Sequence, residues 1–186
     1  MALPADCTVA LLPIKPIYAN AIMAGTKRVE FRKTMFRRTV THVAIYASTP
    51  VQRIIGVFRV AAVEHAEPAA LWRRHARHGG ITSEAFELYY EGSMAGLAIG
   101  IADVVSLTEP LALAELGGSV TPPQSFRYLS ASEVTQLRTA LAVAGAHAHP
   151  ANPLGRRAAS CTDDRKPAGS LHRRLVNRAN PRLTRR

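Results

Sequence analysis

The sequence predicts an α+β domain, a small mixed β-barrel of five to six strands with helices packed against it. Three observations lead there. Apolar, β-prone runs recur at residues 7–14, 40–47, 53–63 and 94–107, and several are apolar on both faces, as a closed or nearly closed sheet packed by helices requires. Stretches of helical composition, with proline at the start or glycine at the end, lie between them. The chain has 186 residues, 47% of them hydrophobic, enough for one domain with a proper core or one domain and a tail.

The elements follow in order. CTVALLPI at 7–14 reads as a buried strand, and Pro16 suits the first turn of the helix after it. Ile17, Ala21 and Ala24 recur at helical spacing, and Gly25 is a natural stop. KRVEFRK then alternates, with Lys27, Val29, Phe31 and Lys33 on one face of a strand and Arg28, Glu30 and Arg32 on the other. VTHVAIYA at 40–47 and RIIGVFRVAAV at 53–63 read as two long strands, the second bent or bulged at Gly56. PAALWRRHARH at 68–78 is helical and ends at Gly79-Gly80; TSEAFELYYE at 82–91 is a second short helix capped by Thr82 or Ser83. MAGLAIGIADVVSL at 94–107 is another long strand, and PLAL at 110–113 adds a short edge. TPPQSFRYL at 121–129 is an extended loop, since its prolines lack backbone donors. Ser130 and Glu133 form a capping box that starts a last helix running to about residue 144.

The domain is therefore placed at residues 1–145. Residues 146–186 have few large apolar side chains and cannot bury enough to order themselves, so they read as a disordered basic tail. That tail is either a phosphate-attracting arm or a solubilising extension. Net charge is +11, which favours polyanionic partners, nucleic acid ahead of membrane. The excess is uneven: residues 1–145 carry 14 Lys+Arg against 11 Asp+Glu, and residues 146–186 carry 10 against 2. Two cysteines, Cys7 and Cys161, read as reduced thiols of a cytoplasmic protein. No signal-peptide pattern opens the chain, and its apolar runs are too short to span a bilayer.

The chemistry concentrates in residues 25–38, GTKRVEFRKTMFRR, which hold six cations and one carboxylate, Glu30. A hairpin carrying Arg28, Arg32, Lys33, Arg37 and Arg38 tracks a phosphate backbone, or is a plain solvated face. Phe31, Phe36 and Tyr46 stack bases, or belong to the core. Lys27 and Glu30 face opposite ways on an ideal strand, so sharing a site requires an irregular chain near Gly25. If they meet, Glu30 keeps the lysine protonated, which suits a phosphate or carbonyl ligand and argues against a lysine nucleophile. The alternative is a surface ion pair worth at most ~1 kcal/mol. Gln124, Ser125 and Arg127 stand on the rigid proline loop with groups suited to reading base edges. His75 and His78 lie beside Trp72 on one helix, either as an acid–base pair or as a polar helix face, and no carboxylate or cysteine accompanies them as metal ligands. Glu64 and His65 end a strand nearby and admit the same two readings. No Gly-rich phosphate loop, GxSxG elbow or HExxH motif is present, and no cofactor is expected.

A helix followed by G-x-K-x-x-E-x-R leading into a strand, here Gly25, Lys27, Glu30 and Arg32, resembles the ASCH domain family, a branch of the PUA-like β-barrels. K-P-x-Y-A-N at 15–20, E-F-R-K at 30–33 and P-P-Q-S-F-R-Y-L at 122–129 resemble one bacterial subgroup, and the likeness covers roughly residues 9–130. The resemblance implies RNA or nucleotide binding in a cleft beside the helix-to-strand turn, lined by Lys27 and Glu30, with Arg32 helping and Ser125 approaching from the C-terminal loop. One branch of the family hydrolyses an acylated cytidine with the motif lysine, a threonine three residues on and a glutamate after a later helix. Here Lys27 matches, Glu30 replaces the threonine and Gly79-Gly80 stands where an acid would be expected. Other members are ribonucleases. The sequence thus supports a cytoplasmic RNA- or nucleotide-binding module with Lys27, Arg28, Glu30, Arg32, Lys33, Gln124, Ser125 and Arg127 as its contact set. A small ribonuclease or modified-nucleoside hydrolase with Lys27 and Glu30 catalytic is the alternative, and a ligand-sensing regulatory domain the third reading. Whether the chain catalyses anything, and its oligomeric state, stay open at this point.

Overall fold

The computed structural model describes residues 3–143; the tail expected at 146–186 lies outside the described residues. A six-stranded mixed sheet and four helices make up an α+β domain. The strands are β1 (Val9–Ile14), β2 (Val29–Arg32), β3 (His42–Ala47), β4 (Arg53–Ala66), β5 (Gly96–Leu111) and β6 (Arg127–Tyr128). The helices are α1 (Pro16–Met23), α2 (Pro68–Gly79), α3 (Ser83–Tyr90) and α4 (Ala131–Val143). The sheet order is β2-β5-β4-β3-β1-β6, parallel between β1 and β3 and antiparallel elsewhere. The parallel pair is the consequence of a helix crossover: β1 leads into α1, and the chain returns only after β2.

The doubly apolar strands are explained by what covers them. In β1, Val9 and Leu11 face one core cluster and Ala10, Leu12 and Ile14 another. In β3, Ala44 and Tyr46 face the first, and Val43, Ile45 and Ala47 the second. Alternation therefore feeds two cores from one sheet. The first is closed by Val134, Leu137 and Leu141 of α4; the second by Ala19 and Ile22 of α1. A third cluster joins Val29 and Phe31 of β2 to Leu71 of α2 and Phe86 and Tyr90 of α3.

Two expectations need correction. The chain at 110–113 adds no separate edge: β5 continues through Leu111, and Leu113–Leu116 wind into a short 3-10 turn whose two leucines are buried. The 121–129 segment, expected as an extended loop, ends in a paired strand. Its last residues form β6, which pairs with Ala10 and Leu11 of β1 once the prolines are passed. The bulge near Gly56 is present, where the β3–β4 register shifts. Ser130 and Glu133 make both bonds of the capping box, Ser130 N to Glu133 Oε2 at 2.8 Å and Glu133 N to Ser130 Oγ at 3.3 Å.

The sheet is a half-barrel. Its edges, β2 and β6, are not joined by backbone hydrogen bonds. Between them lies the space that becomes the candidate site.

Candidate functional site

The local fold brings Lys27 and Glu30 together. After α1, Gly25 turns the chain at φ +73°, and the amides of Thr26 and Lys27 both donate to Ala21 O at 3.0 Å. Lys27 is thus held by the end of α1, before β2 begins, and the alternation of strand faces does not apply to it. Its Nζ lies 3.3 Å from Glu30 Oε2. The two residues are 3% and 6% exposed, so this is a buried pair and not a surface one.

Lys27 Nζ also donates to Gly79 O at 2.5 Å, at the C-terminal end of α2. The rings of Tyr18 and Phe31 stand 5.3 and 5.5 Å from the ammonium, within cation–π range. Gly80 makes room for the lysine stem: a Cβ there would stand 2.9 Å from Lys27 Cβ. An ammonium has three donors, and the carbonyl and the carboxylate use two. Burial lowers the Lys27 pKa; Glu30 opposes that, and the Arg32 charge adds to it. Desolvation outweighs the partner, so the net shift is downward.

Arg32 works differently from a free cation. Its Nη1 lies 3.5 Å from Glu30 Oε1 and donates to Pro13 O at 3.1 Å, while Nη2 donates to Ser125 O. One side chain on edge strand β2 thereby reaches β1 and the loop before β6. It bridges the gap that the backbone leaves open. The Arg32 carbonyl in turn accepts from Tyr90 Oη at 3.0 Å.

These residues line a cleft of about 780 Å³. Leu88 and Tyr89 of α3 form one wall, Ser48, Thr49 and Gln52 another, and Pro122 to Ser125 a third. Lys15 and Lys33 join Lys27 and Arg32 in the lining, and among the described residues Glu30 is its only acid. Since both Glu30 oxygens already face cations, the lining keeps a net positive charge.

Of the residues singled out from sequence, Lys27, Glu30, Phe31, Arg32, Lys33, Tyr46, Gln124 and Ser125 line the cleft. Arg28 and Arg127 do not. Arg127 pairs with Glu133 at 2.6 Å and braces the start of α4. Phe31, Phe36 and Tyr46 are not free stacking platforms: Phe31 and Tyr46 are buried, Phe31 packs edge-on to Phe86 at 4.8 Å, and Phe36 does so to Phe126 at 4.9 Å. Tyr89, exposed on the rim, is the aromatic that the sequence reading passed over, along with Tyr18 and the Gly79 carbonyl. The K-P-x-Y-A-N stretch and the glycine pair were the signals available for the last two.

Away from the cleft, His75 Nε2 is 2.8 Å from Glu64 Oε2, and Arg74 reaches the other oxygen of the same carboxylate. Burial, aided by the Arg74 charge, lowers the His75 pKa. Among the described residues no group of three or more His, Cys, Asp or Glu is placed to hold a metal ion, and no helix is long and apolar enough to cross a membrane.

Comparison with known proteins bears on this site. The ASCH domain model matches residues 12–117. An ASCH domain-containing ribonuclease from Zymomonas mobilis is 29% identical over 134 residues, covering 69% of this chain and 88% of that protein. The crystal structure of ASCH from Zymomonas mobilis matches with a TM-score of 0.64 at 26% identity, over 76% of this chain and 96% of the other. The large ribosomal subunit protein uL22 of Ureaplasma parvum is 27% identical over 103 residues, which are 55% of this chain and 33% of that protein.

Proposed function

As the chain belongs to the ASCH domain family, we propose that it binds RNA or a nucleotide in the cleft between α1, β2 and the 122–125 loop. The observation that carries this reading is the cationic lining around one buried, already paired carboxylate. Glu30 fixes Lys27 and Arg32 in place; Arg32 is spent on two backbone carbonyls, so Lys27 offers the buried donor and Lys15 and Lys33 the outer charges. Such a site suits a phosphate near the floor. Gln124 and the hydroxyls of Ser48, Thr49 and Ser125 line the same cleft and offer partners to a base edge or ribose. The clamp makes Arg32 the positioning residue of the loop.

A second reading places phosphodiester cleavage in the same cleft, with Lys27 and Glu30 catalytic. Two observations favour it. Burial lowers the Lys27 pKa, which brings a proton-transferring amine nearer to neutrality, and a relative sharing 29% identity is named a ribonuclease.

The test is fluorescence anisotropy of an end-labelled single-stranded RNA titrated with the full chain, its Lys27→Ala variant and its Arg178→Ala variant. Lys27→Ala is expected to weaken binding more than Arg178→Ala does. Equal losses would assign the affinity to bulk charge and refute the cleft. Gel analysis of the same mixtures separates the two readings: intact RNA supports a binding module, and shortening that Lys27→Ala abolishes supports a ribonuclease.

A further inference from the structure

Helix α2 carries more positive charge than its place in the fold explains. PAALWRRHARHG contains three arginines and two histidines and no acid; Glu67 stands only at its N-terminal end. Leu71 and Gly79 are buried and His75 is half-buried, so one side of the helix faces the domain. Arg73, Arg77 and His78 are exposed. Arg74 is tied to Glu64, but among the described residues the guanidinium groups of Arg28, Arg73 and Arg77 make no hydrogen bond or ion pair. Basic residues in the last turn complement the negative end of a helix, which accounts for Arg77 and His78. It leaves Arg73, one turn earlier, without that reason.

The position of this face gives it a use. The end of α2 abuts the cleft floor, where Gly79 O holds Lys27 and His78 O accepts from Arg28 N at 2.8 Å. Ile81, two residues past the helix, lines the cleft. Arg73 and Arg77 lie four residues apart, about 6 Å along the axis, on the helix whose C-terminal end holds Lys27. Guanidinium forks with no protein partner suit successive phosphates.

We propose that the outer face of α2, through Arg73 and Arg77 with Arg28 at its foot, is a second contact surface that carries the phosphate backbone of an RNA strand whose one nucleotide occupies the cleft. This rests on the reading of the cleft given above and extends it. The favoured ligand is a single-stranded polymer, and a free nucleotide uses only half of the surface.

The experiment compares the full chain with Arg73→Gln/Arg77→Gln, with Lys27→Ala and with the tail control Arg182→Gln/Arg185→Gln. The probes are uridine monophosphate and a labelled oligouridylate of about ten nucleotides, within the span that one small domain contacts. The α2 double variant is expected to bind the oligonucleotide roughly tenfold more weakly at low salt, and its slope of log K against log salt to fall by about 1.4, two phosphates' worth for a single strand. Its affinity for the mononucleotide is expected to be unchanged. An unchanged oligonucleotide affinity, or an equal loss in the tail control, would overturn the proposal. A Lys27→Ala variant that binds the mononucleotide as well as the parent would instead refute the cleft reading, and the α2 surface would still be judged on the oligonucleotide alone.

Discussion

Removing the charge of Glu30 tests the site's electrostatics directly. Glu30→Gln keeps the shape of the side chain and leaves two cations, Lys27 at 3.3 Å and Arg32 at 3.5 Å, facing a neutral amide. At an effective dielectric near 20, a charge pair at 3.3 Å is worth about 5 kcal/mol before desolvation. Desolvation of the carboxylate offsets part of this, and breaking a buried pair from one side typically costs about 3–5 kcal/mol. The amide retains a hydrogen bond worth ~1 kcal/mol, so a loss of about 3 kcal/mol is expected near neutral pH. For a chain of this length that is a fall of roughly 6–12 °C in Tm, measured by calorimetry or urea denaturation.

The pH dependence has a definite sign. The Lys27 pKa is already lowered in the fold, from 10.5, and without Glu30 it falls further. Between its folded and free values the unfolded chain binds more protons, so rising pH stabilises the fold. Falling pH through the folded pKa removes that contribution. The deficit of Glu30→Gln therefore narrows as pH rises through the folded Lys27 pKa towards 10.5. The double variant Lys27→Met/Glu30→Gln regains part of the loss. A deficit under ~1 kcal/mol, flat with pH, would show that the pair behaves as an exposed one and that burial does not set its strength.

Three further predictions follow from neighbouring contacts. Gly80→Ala forces a Cβ into a residue at φ +59° and to 2.9 Å from Lys27 Cβ; it should destabilise by about 1–3 kcal/mol and weaken ligand binding through the displaced lysine, read by thermal unfolding and titration. Tyr90→Phe removes the hydroxyl that reaches Arg32 O and Leu97 O, and a urea midpoint should report a loss of about 1 kcal/mol. Arg127→Met strips Glu133 of its partner. Although burial pushes the Glu133 carboxyl up, its bonds to Arg127 and Ser130 outweigh that and hold it below 4.5. Its stabilising effect is present above that value and lost as pH falls through the folded pKa. The variant should lose stability at a higher pH than the parent, as followed by circular dichroism.

Much of the fold was readable because its signals are local. Pro16, Gly25, the Gly79-Gly80 pair and the Ser130–Glu133 box mark helix ends by backbone chemistry alone. The doubly apolar strands announced a sheet covered on both sides. What was not readable depends on distant partners. Arg32 looked like a phosphate ligand, but its carbonyl partners at Pro13 and Ser125 lie 19 and 93 residues away. The direction of the Lys27 shift turns on burial, which a GTKRVE string does not display. Phe31 and Tyr46 were ambiguous for the same reason. β6 is two residues long and follows two prolines, so only its pairing with β1 reveals it.

On the proposed reading a nucleotide sits over Lys27. Amide chemical-shift mapping of the full chain with uridine monophosphate tests it most directly. Saturable shifts are expected along the cleft lining, in residues 13–18, 27–34, 46–52, 81–89 and 122–125, and Lys27→Ala is expected to abolish them. Shifts absent from those segments, or concentrated elsewhere on the sheet, would contradict it.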